Sequence, residues 1–310
     1  TTLFSRRAMV LAAGALPVAA AASRSGAATG PKETRAMNTR KIPRSGEAVP
    51  VIGLGTWQTF DVSDSPAERQ PLVQVLERFF AAGAKVIDSS PMYGRAEEVV
   101  GNLLKAASWR PKAFLATKVW TTGRERGVQQ MSESIRKMAA ERMDLMQVHN
   151  LQDWRTHLET LRAWKSEGRV RYIGVTHYAR SAFDELEEIV RKERVDFVQL
   201  PYSIGFRDAE KRLLPAARET GTAVLVMRPF EGGELFSSTR GKPLPEFARE
   251  IGCESWAQYF LKFILGHPAV TCPIPATANP RHVEDNLRAG FGAFPQDPAL
   301  RKRMIEHLGL

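Results

Sequence analysis

Val86-Ile87-Asp88-Ser89-Ser90-Pro91-Met92-Tyr93-Gly94 is the stretch on which the reading of the chain turns. A short apolar run ends abruptly in a carboxylate, and a tyrosine and a glycine follow within one loop. Ala96-Glu97-Glu98-Val99-Val100 then starts a helix, with acids in the first turn where the helix dipole favours them. A strand, a loop carrying an acid and a phenol, and a helix make the outline of a catalytic βα loop. Taken alone, the stretch also admits a plainer reading, in which Asp88 opens a turn and Tyr93 packs over the next helix.

Working outward, the same beat recurs in both directions. Val51–Gly55 reads as a first buried strand whose glycines let something approach the backbone closely. Leu72, Val75, Leu76, Phe79 and Phe80 then fall at helical spacing, and Gly83 stops that helix. Strand Lys85–Asp88 precedes helix Ala96–Ala107, and strand Ala113–Lys118 precedes helix Gly127–Arg142. Strands Leu145–Val148, Tyr172–Thr176 and Phe197–Leu200 lead to helices Leu158–Glu167, Ser181–Arg191 and Ala209–Thr220. Strand Ala223–Met227 is followed by a Gly-, Ser- and Pro-rich loop and helix Ser255–Leu265; strand Val270–Pro275 leads to helix Asn279–Arg288. A last helix spans Asp297–His307, and a hairpin of Lys41–Pro43 with Val49–Val51 precedes the first strand.

That is eight βα units in about 240 residues, with Val-, Ile- and Leu-rich strands of the kind buried on both faces of a parallel sheet. The count and length predict an α/β fold, a single-domain (β/α)8 TIM barrel with a short N-terminal β-hairpin. An open doubly wound sheet would carry a G-x-G-x-x-G loop after its first strand, and Gly53-Leu54-Gly55-Thr56-Trp57-Gln58 lacks the third glycine.

In a barrel all strands open at the same rim, where chemistry is built. The strand ends read Gly55-Thr56-Trp57, Asp88 with Tyr93, Lys118, His149-Asn150, Thr176-His177, Gln199 with Tyr202, Arg228, and Thr277 with Asn279. A tyrosine hydroxyl titrates near pH 10, so proton transfer near neutrality needs help. A lysine ammonium beside it lowers its pKa, an aspartate holds the lysine, and a histidine can bond a carbonyl oxygen. No carboxylates pair as in glycoside hydrolysis, no serine sits on a nucleophile elbow, and no cluster has metal-ligand spacing. What remains is a site that protonates an oxygen and draws its electrons from a hydride-carrying cofactor.

From about Arg40 to Asn286 the chain resembles the aldo-keto reductase superfamily. The motifs are Ile52-Gly53-Leu54-Gly55-Thr56-Trp57, the Ile87–Gly94 stretch, Thr117-Lys118, Met146-Gln147-Val148-His149, Ile173–His177, Val198–Ser203, and Ile274-Pro275-Ala276-Thr277 through Glu284-Asp285-Asn286. The resemblance implies NAD(P)H-dependent reduction of a small aldehyde or ketone. Tyr93 would be the general acid, Lys118 and Asp88 would lower its pKa, and His149 would orient the carbonyl. Thr176, His177 and Gln199 match positions holding the nicotinamide carboxamide, and Gly55, Thr56 and Asp88 lie near its ribose. Thr277, Glu284, Asp285 and Asn286 match positions around the adenosine. Trp57, Trp120 and Phe230 are candidates for the substrate cleft.

Three departures from the family pattern stand out. Thr176-His177 replaces the common Ser-Asn, and Arg228 stands where an aromatic usually stacks on the nicotinamide; a planar guanidinium can stack too, or reach the pyrophosphate. Positions that often bind a 2′-phosphate read Ala276, Ala278 and His282, leaving Arg281 as the nearest fixed charge. NADPH is the family's usual cofactor, and NADH is the alternative. A rival reading is a cofactor-binding redox sensor or accessory subunit without significant turnover; a lyase or isomerase on this fold would require a phosphate or metal site.

Residues 1–36 read as a twin-arginine signal peptide and linker, and 37–310 as the barrel. Ser5-Arg6-Arg7 precedes an apolar run, Met9 to Ala22, too short and Ala-rich to span a bilayer, with small residues after it for a cleavage site. This pattern implies a periplasmic or exported protein that engages the twin-arginine (Tat) export machinery. The net charge is +10, but five basic residues against one acid lie before Ala36, leaving +6 on the body with no basic run. That composition argues against a nucleic-acid partner, and no other segment is apolar enough to be transmembrane. Cys253 and Cys272 form no metal-ligand pattern and are free to pair in an oxidising compartment.

Overall fold

A computed structural model describes residues 36–310; the arginine pair and its apolar run lie outside the described residues. Strands β1 (Thr39–Lys41) and β2 (Ala48–Pro50) form an antiparallel hairpin. Eight parallel strands follow: β3 (Leu54–Gly55), β4 (Val86–Asp88), β5 (Phe114–Val119), β6 (Met143–His149), β7 (Val170–Thr176), β8 (Phe197–Pro201), β9 (Ala223–Met227) and β10 (Cys272–Pro273). Each pairs with the next in sequence. Helices α1 (Pro66–Ala81), α2 (Ala96–Ala106), α3 (Arg124–Lys137), α4 (Trp154–Ser166), α5 (Phe183–Lys192) and α6 (Leu213–Thr220) pack outside. They are joined by α7 (Glu234–Thr239), α8 (Trp256–Leu265), α9 (Pro280–Arg288) and α10 (Pro298–His307).

The last strand meets the first through an unusual seam. Pro273 and Pro275 have no N–H to give a ladder, but their carbonyls accept from Gly53 N (2.9 Å) and Gly55 N (3.2 Å). A bridge between Gly55 and Ala276 completes the closure. The prolines explain why β3 and β10 are shorter than the apolar runs that predict them. The glycines are there for the seam: a Cβ on Gly55 would stand 2.8 Å from the Ile274 carbonyl oxygen.

Side chains of a strand alternate between faces, so each barrel strand feeds two cores. Outward residues such as Ile87, Leu115, Met146, Val148, Val175 and Val198 pack under the helices. Inward residues form a second apolar cluster of Val86, Phe114, Ala116, Leu145, Tyr172, Phe197, Ala223, Leu225, Cys272 and Ile274. Ile42 and Val49 from the hairpin belong to this cluster, so the hairpin plugs the end of the barrel where the strands begin. Arg40 holds the plug in place by donating to the carbonyls of Leu265, His267 and Val270.

Several boundaries differ from the periodicity. The hairpin strands begin earlier than expected, α3 starts at Arg124 and stops at Lys137, and α4 starts at Trp154. Ala139 stands at φ +51°, and Asn150, Leu151 and Asp153 stand at +52°, +54° and +48°. Asn and Asp enter the left-handed region more readily than other side chains, but Ala139 and Leu151 give no sign of it in the sequence. The Gly232–Pro245 loop contains α7, too short to register as a pattern. Cys253 packs in the outer core and Cys272 inside the barrel, and both are free thiols.

Gly55→Ala presses a methyl group against backbone at the seam. Its urea midpoint should fall by the equivalent of about 1–3 kcal/mol; an unchanged midpoint would show that the two strands can move apart freely.

Candidate active site

The polar site is the continuation of the inward register. Beyond Phe114 and Ala116, β5 places Lys118 inside; beyond Leu145, β6 places Gln147 and then His149; beyond Tyr172 and Gly174, β7 places Thr176. Val86 is followed by Asp88, and Phe197 by Gln199. Asp88, Lys118, Gln147 and Gln199 thus form one buried polar layer directly above the apolar plug.

Its centre is an ion pair. Lys118 Nζ lies 2.6 Å from Asp88 Oδ2, with side chains only 1% and 3% exposed. Lys118 also donates to the Ser89 carbonyl at 2.6 Å, and an ammonium has three donors. Nζ lies 5.1 Å from the centroid of the Tyr93 ring. Asp88 accepts further from Gln147 Nε2 (3.3 Å) and Gln199 Nε2 (3.2 Å), and Gln147 also donates to Gln199 Oε1 at 3.1 Å. Each amide therefore braces the aspartate, and Asp88 is held from β5, β6 and β8 together.

Tyr93 is presented by a tight loop. Its N–H donates to the Ser90 carbonyl (3.0 Å), and Gly94 follows at φ +59°. The Asp61 carboxylate fills the space where a Cβ on Gly94 would sit, and accepts from Arg95 N at 2.9 Å. Glycine is required there on both counts. His149 stands edge-on to Tyr93, ring centroids 5.9 Å apart, and Trp120 lies 6.5 Å from the same imidazole. His149 Nδ1 is 3.0 Å from Ser90 Oγ.

The electrostatics follow from burial and charge. Burial alone would lower the Lys118 pKa; the charges of Asp88 and then Tyr93 overturn this and leave it raised. Burial raises the Tyr93 pKa, and Lys118 opposes that only in part, with Asp88 adding to the rise. Lys118 acts in the expected direction, lowering the phenol, but burial outweighs it and leaves the net shift upward. An upward shift favours the protonated phenol. Burial, with Lys118 and His177 nearby, pushes His149 down to about 2, so its imidazole is neutral.

The other positions named by the sequence fall into two groups. Thr176 Oγ1 is buried without a partner, beside His149 on one flanking strand and Gln199 on the other. Half-buried His177 stacks on Tyr178, and its Nδ1 accepts from Ala179 N at 3.0 Å, leaving Nε2–H as a donor. Arg228 is exposed at φ +51° and Asn286 is buried; neither side chain has a hydrogen bond or ion pair among the described residues. These groups are available to a ligand, and an unpartnered hydroxyl beside a donor imidazole suits a carboxamide. Thr56 is tied to the Asp88 carbonyl (3.0 Å) and Ser89 Oγ (2.9 Å), and Thr277 Oγ1 accepts from Asn279 N at 3.0 Å.

Four positions are committed elsewhere. Gln199 braces Asp88 below the rim, Glu284 pairs with Arg78 (2.5 Å) and Arg288 (3.3 Å), and Asp285 accepts from Gln258 at 2.6 Å. Phe230 packs with Phe236 and Phe260 at 4.8 and 6.4 Å, in the α7–α8 region. Trp57 is 52% exposed at the end of β3. Among the described residues no three His, Cys, Asp or Glu side chains come together as metal ligands. Sequence reading missed Gln147 and Ser90 as site residues. Both lie in motifs already singled out, and Gln147 shares inward parity with His149, which was signal enough to find it.

The aldo/keto reductase family model matches residues 51–299. The chain is 27% identical over 262 residues to the methylglyoxal reductase YeaE of Escherichia coli, covering 81% of this chain and 89% of that one. It is 28% identical over 233 residues to an NADH-specific methylglyoxal reductase of Escherichia coli, covering 64% and 69%. An aldo/keto reductase of Klebsiella pneumoniae, solved in complex with NADP and acetate, superposes with a TM-score of 0.69 at 26% identity, covering 83% of this chain and 92% of that one. On the strength of a match that spans most of the barrel, this chain belongs to the aldo/keto reductase family.

Proposed function

We propose that this protein reduces a small aldehyde or ketone to the alcohol, with Tyr93 as the general acid, using NADPH, with NADH as the alternative. The observation that carries the reading is the buried Asp88–Lys118 pair, 2.6 Å apart, with its ammonium at the Tyr93 ring. The cofactor, when bound, supplies the hydride to the carbonyl carbon. Thr176 and His177 would hold its carboxamide, Arg228 its nicotinamide or pyrophosphate end, and Asn286 its adenosine. The NADP in the Klebsiella relative and the NADH-specific Escherichia coli relative support both cofactors as candidates. Two methylglyoxal reductases among the relatives support a small 2-oxoaldehyde as substrate.

The residues divide the work. Lys118 stays charged because Asp88 compensates its burial, and its field stabilises the phenolate left when Tyr93 gives up its proton. His149, neutral, bonds the carbonyl oxygen and sets its position toward Tyr93. Trp120 shields that corner, and the polar layer beneath keeps Asp88 from turning away.

Fluorescence titration with NADPH and NADH, followed by turnover of a small aldehyde, tests the reading. Tyr93→Phe should keep cofactor affinity and lose kcat by about 10²- to 10⁴-fold; full turnover in that variant would refute Tyr93 as the acid. Binding without turnover in the wild type would favour a redox sensor instead. Arg281, exposed and without an ion pair among the described residues, is the cation available to a 2′-phosphate, so Arg281→Ala should weaken NADPH more than NADH.

The pH dependence follows from the raised tyrosine and the neutral histidine. Reduction needs Tyr93 protonated, and a raised pKa keeps it so throughout the neutral range; His149 does not charge until about pH 2. The kcat/KM for reduction should be level between about pH 5 and pH 9 and fall only on the alkaline side, above the ordinary tyrosine value of about 10. A fall below about pH 7 would contradict this.

The same proposal includes export through the twin-arginine route, supported by Ser5-Arg6-Arg7 ahead of the apolar Met9 to Ala22 run. In a bacterial host the full chain should be recovered from the periplasmic fraction, and the Arg6→Lys, Arg7→Lys double variant from the cytoplasm. Equal distribution of both would dismiss the signal.

A further inference from the structure

Ser90 makes a hydrogen bond that the division of work above leaves unused. Its side chain is fully buried, and its Oγ stands between two partners. The Met92 N–H donates to it at 3.3 Å, and His149 Nδ1 lies 3.0 Å away. A neutral imidazole carries its proton on one nitrogen and accepts on the other, so two arrangements are available. With the proton on Nδ1, Ser90 Oγ would accept twice, and its own hydroxyl hydrogen would have no acceptor in a buried site. With the proton on Nε2, Oγ accepts from Met92 and donates to Nδ1, and every group is satisfied. Ser90 Oγ has no third partner among its hydrogen bonds.

The second ring nitrogen is the one left for substrate. Nδ1 is occupied by Ser90, while the Tyr93 and Trp120 rings pack against the imidazole. The titratable and charged groups around the ring are Lys118 from β5, Tyr93 from the loop after β4, and His177 from the end of β7. None of them is hydrogen-bonded to Nδ1, so the choice of nitrogen falls to Ser90.

We propose that Ser90 is a positioning residue that holds His149 in its Nε2–H form, so that the imidazole donates a hydrogen bond to the carbonyl oxygen and is never the source of the transferred proton. This rests on the carbonyl-reductase reading for its consequence, but not for its geometry. The proton that reaches the alkoxide oxygen then comes from Tyr93 alone. Ser90 does no chemistry itself and acts only through His149.

The test is nitrogen NMR of the protein labelled with ¹⁵N-histidine, without cofactor or substrate, with the His149 signals assigned by their loss in His149→Gln. The wild type should show Nδ1 in the unprotonated range and Nε2 in the protonated range, unchanged across neutral pH. In Ser90→Ala the two signals should move toward each other as the tautomers mix. The kcat/KM for reduction should fall by about two- to tenfold, the size of one net hydrogen bond, with cofactor affinity unchanged. A protonated Nδ1 in the wild type overturns the proposal, and that measurement stands even if Ser90→Ala fails to fold. A folded Ser90→Ala with wild-type tautomer and wild-type kcat/KM overturns it as well. A protein that shows the Nε2–H form but reduces no carbonyl would instead refute the carbonyl-reductase reading.

Discussion

Two opposite charges, Lys118 and Asp88, lie 2.6 Å apart inside the barrel and are almost entirely withheld from water. Neither would be tolerated there alone: removing one partner of a buried pair typically costs about 3–5 kcal/mol. The pair also makes demands on its surroundings, because a carboxylate has more acceptor sites than one ammonium can fill. Gln147 and Gln199 meet that demand on Asp88, and the Ser89 carbonyl accepts from a second N–H of Lys118. The polar layer is thus a consequence of placing one ion pair in the barrel. The position of Tyr93 over Lys118 is the functional return.

The apolar plug below and the polar layer above are one structure. They share strands and parity, and they differ only in how far along each strand a residue lies. The hairpin contributes Ile42 and Val49 to the apolar cluster at the end where the strands begin, and the polar layer above is buried. Burial at the site dominates the titration behaviour. It raises Tyr93 despite a neighbouring ammonium, and it keeps His149 neutral. Both shifts favour the neutral forms of the phenol and the imidazole. Gly94, with Asp61 occupying the space of its missing Cβ, fixes the turn that presents Tyr93.

The fold was legible because its signal is repetitive. Eight apolar runs alternating with one-faced helices leave few architectures, and the missing third glycine after Gly55 removes the main competitor. The four central residues were legible for a related reason: each ends, or closely follows, an apolar run. Helix starts at Arg124 and Trp154 were not, because they depend on polar first turns and on left-handed residues such as Asn150, Leu151 and Asp153. The roles of the strand-end glycines were only half visible; what approaches Gly55 most closely is the barrel's own last strand.

The chain by itself determined the barrel, its family and the residues Asp88, Tyr93, Lys118 and His149, since these follow from local periodicity and from motifs held within single strands and loops. Only the tertiary structure decided which polar groups are spent on one another and which remain for a ligand. Gln199, Glu284 and Asp285 are engaged by distant side chains, whereas Thr176 is buried and unpartnered. It also decided the sign of the shift on Tyr93. Hydrogen-bond partnership and desolvation depend on what several strands bring to one point, and no linear pattern encodes that sum.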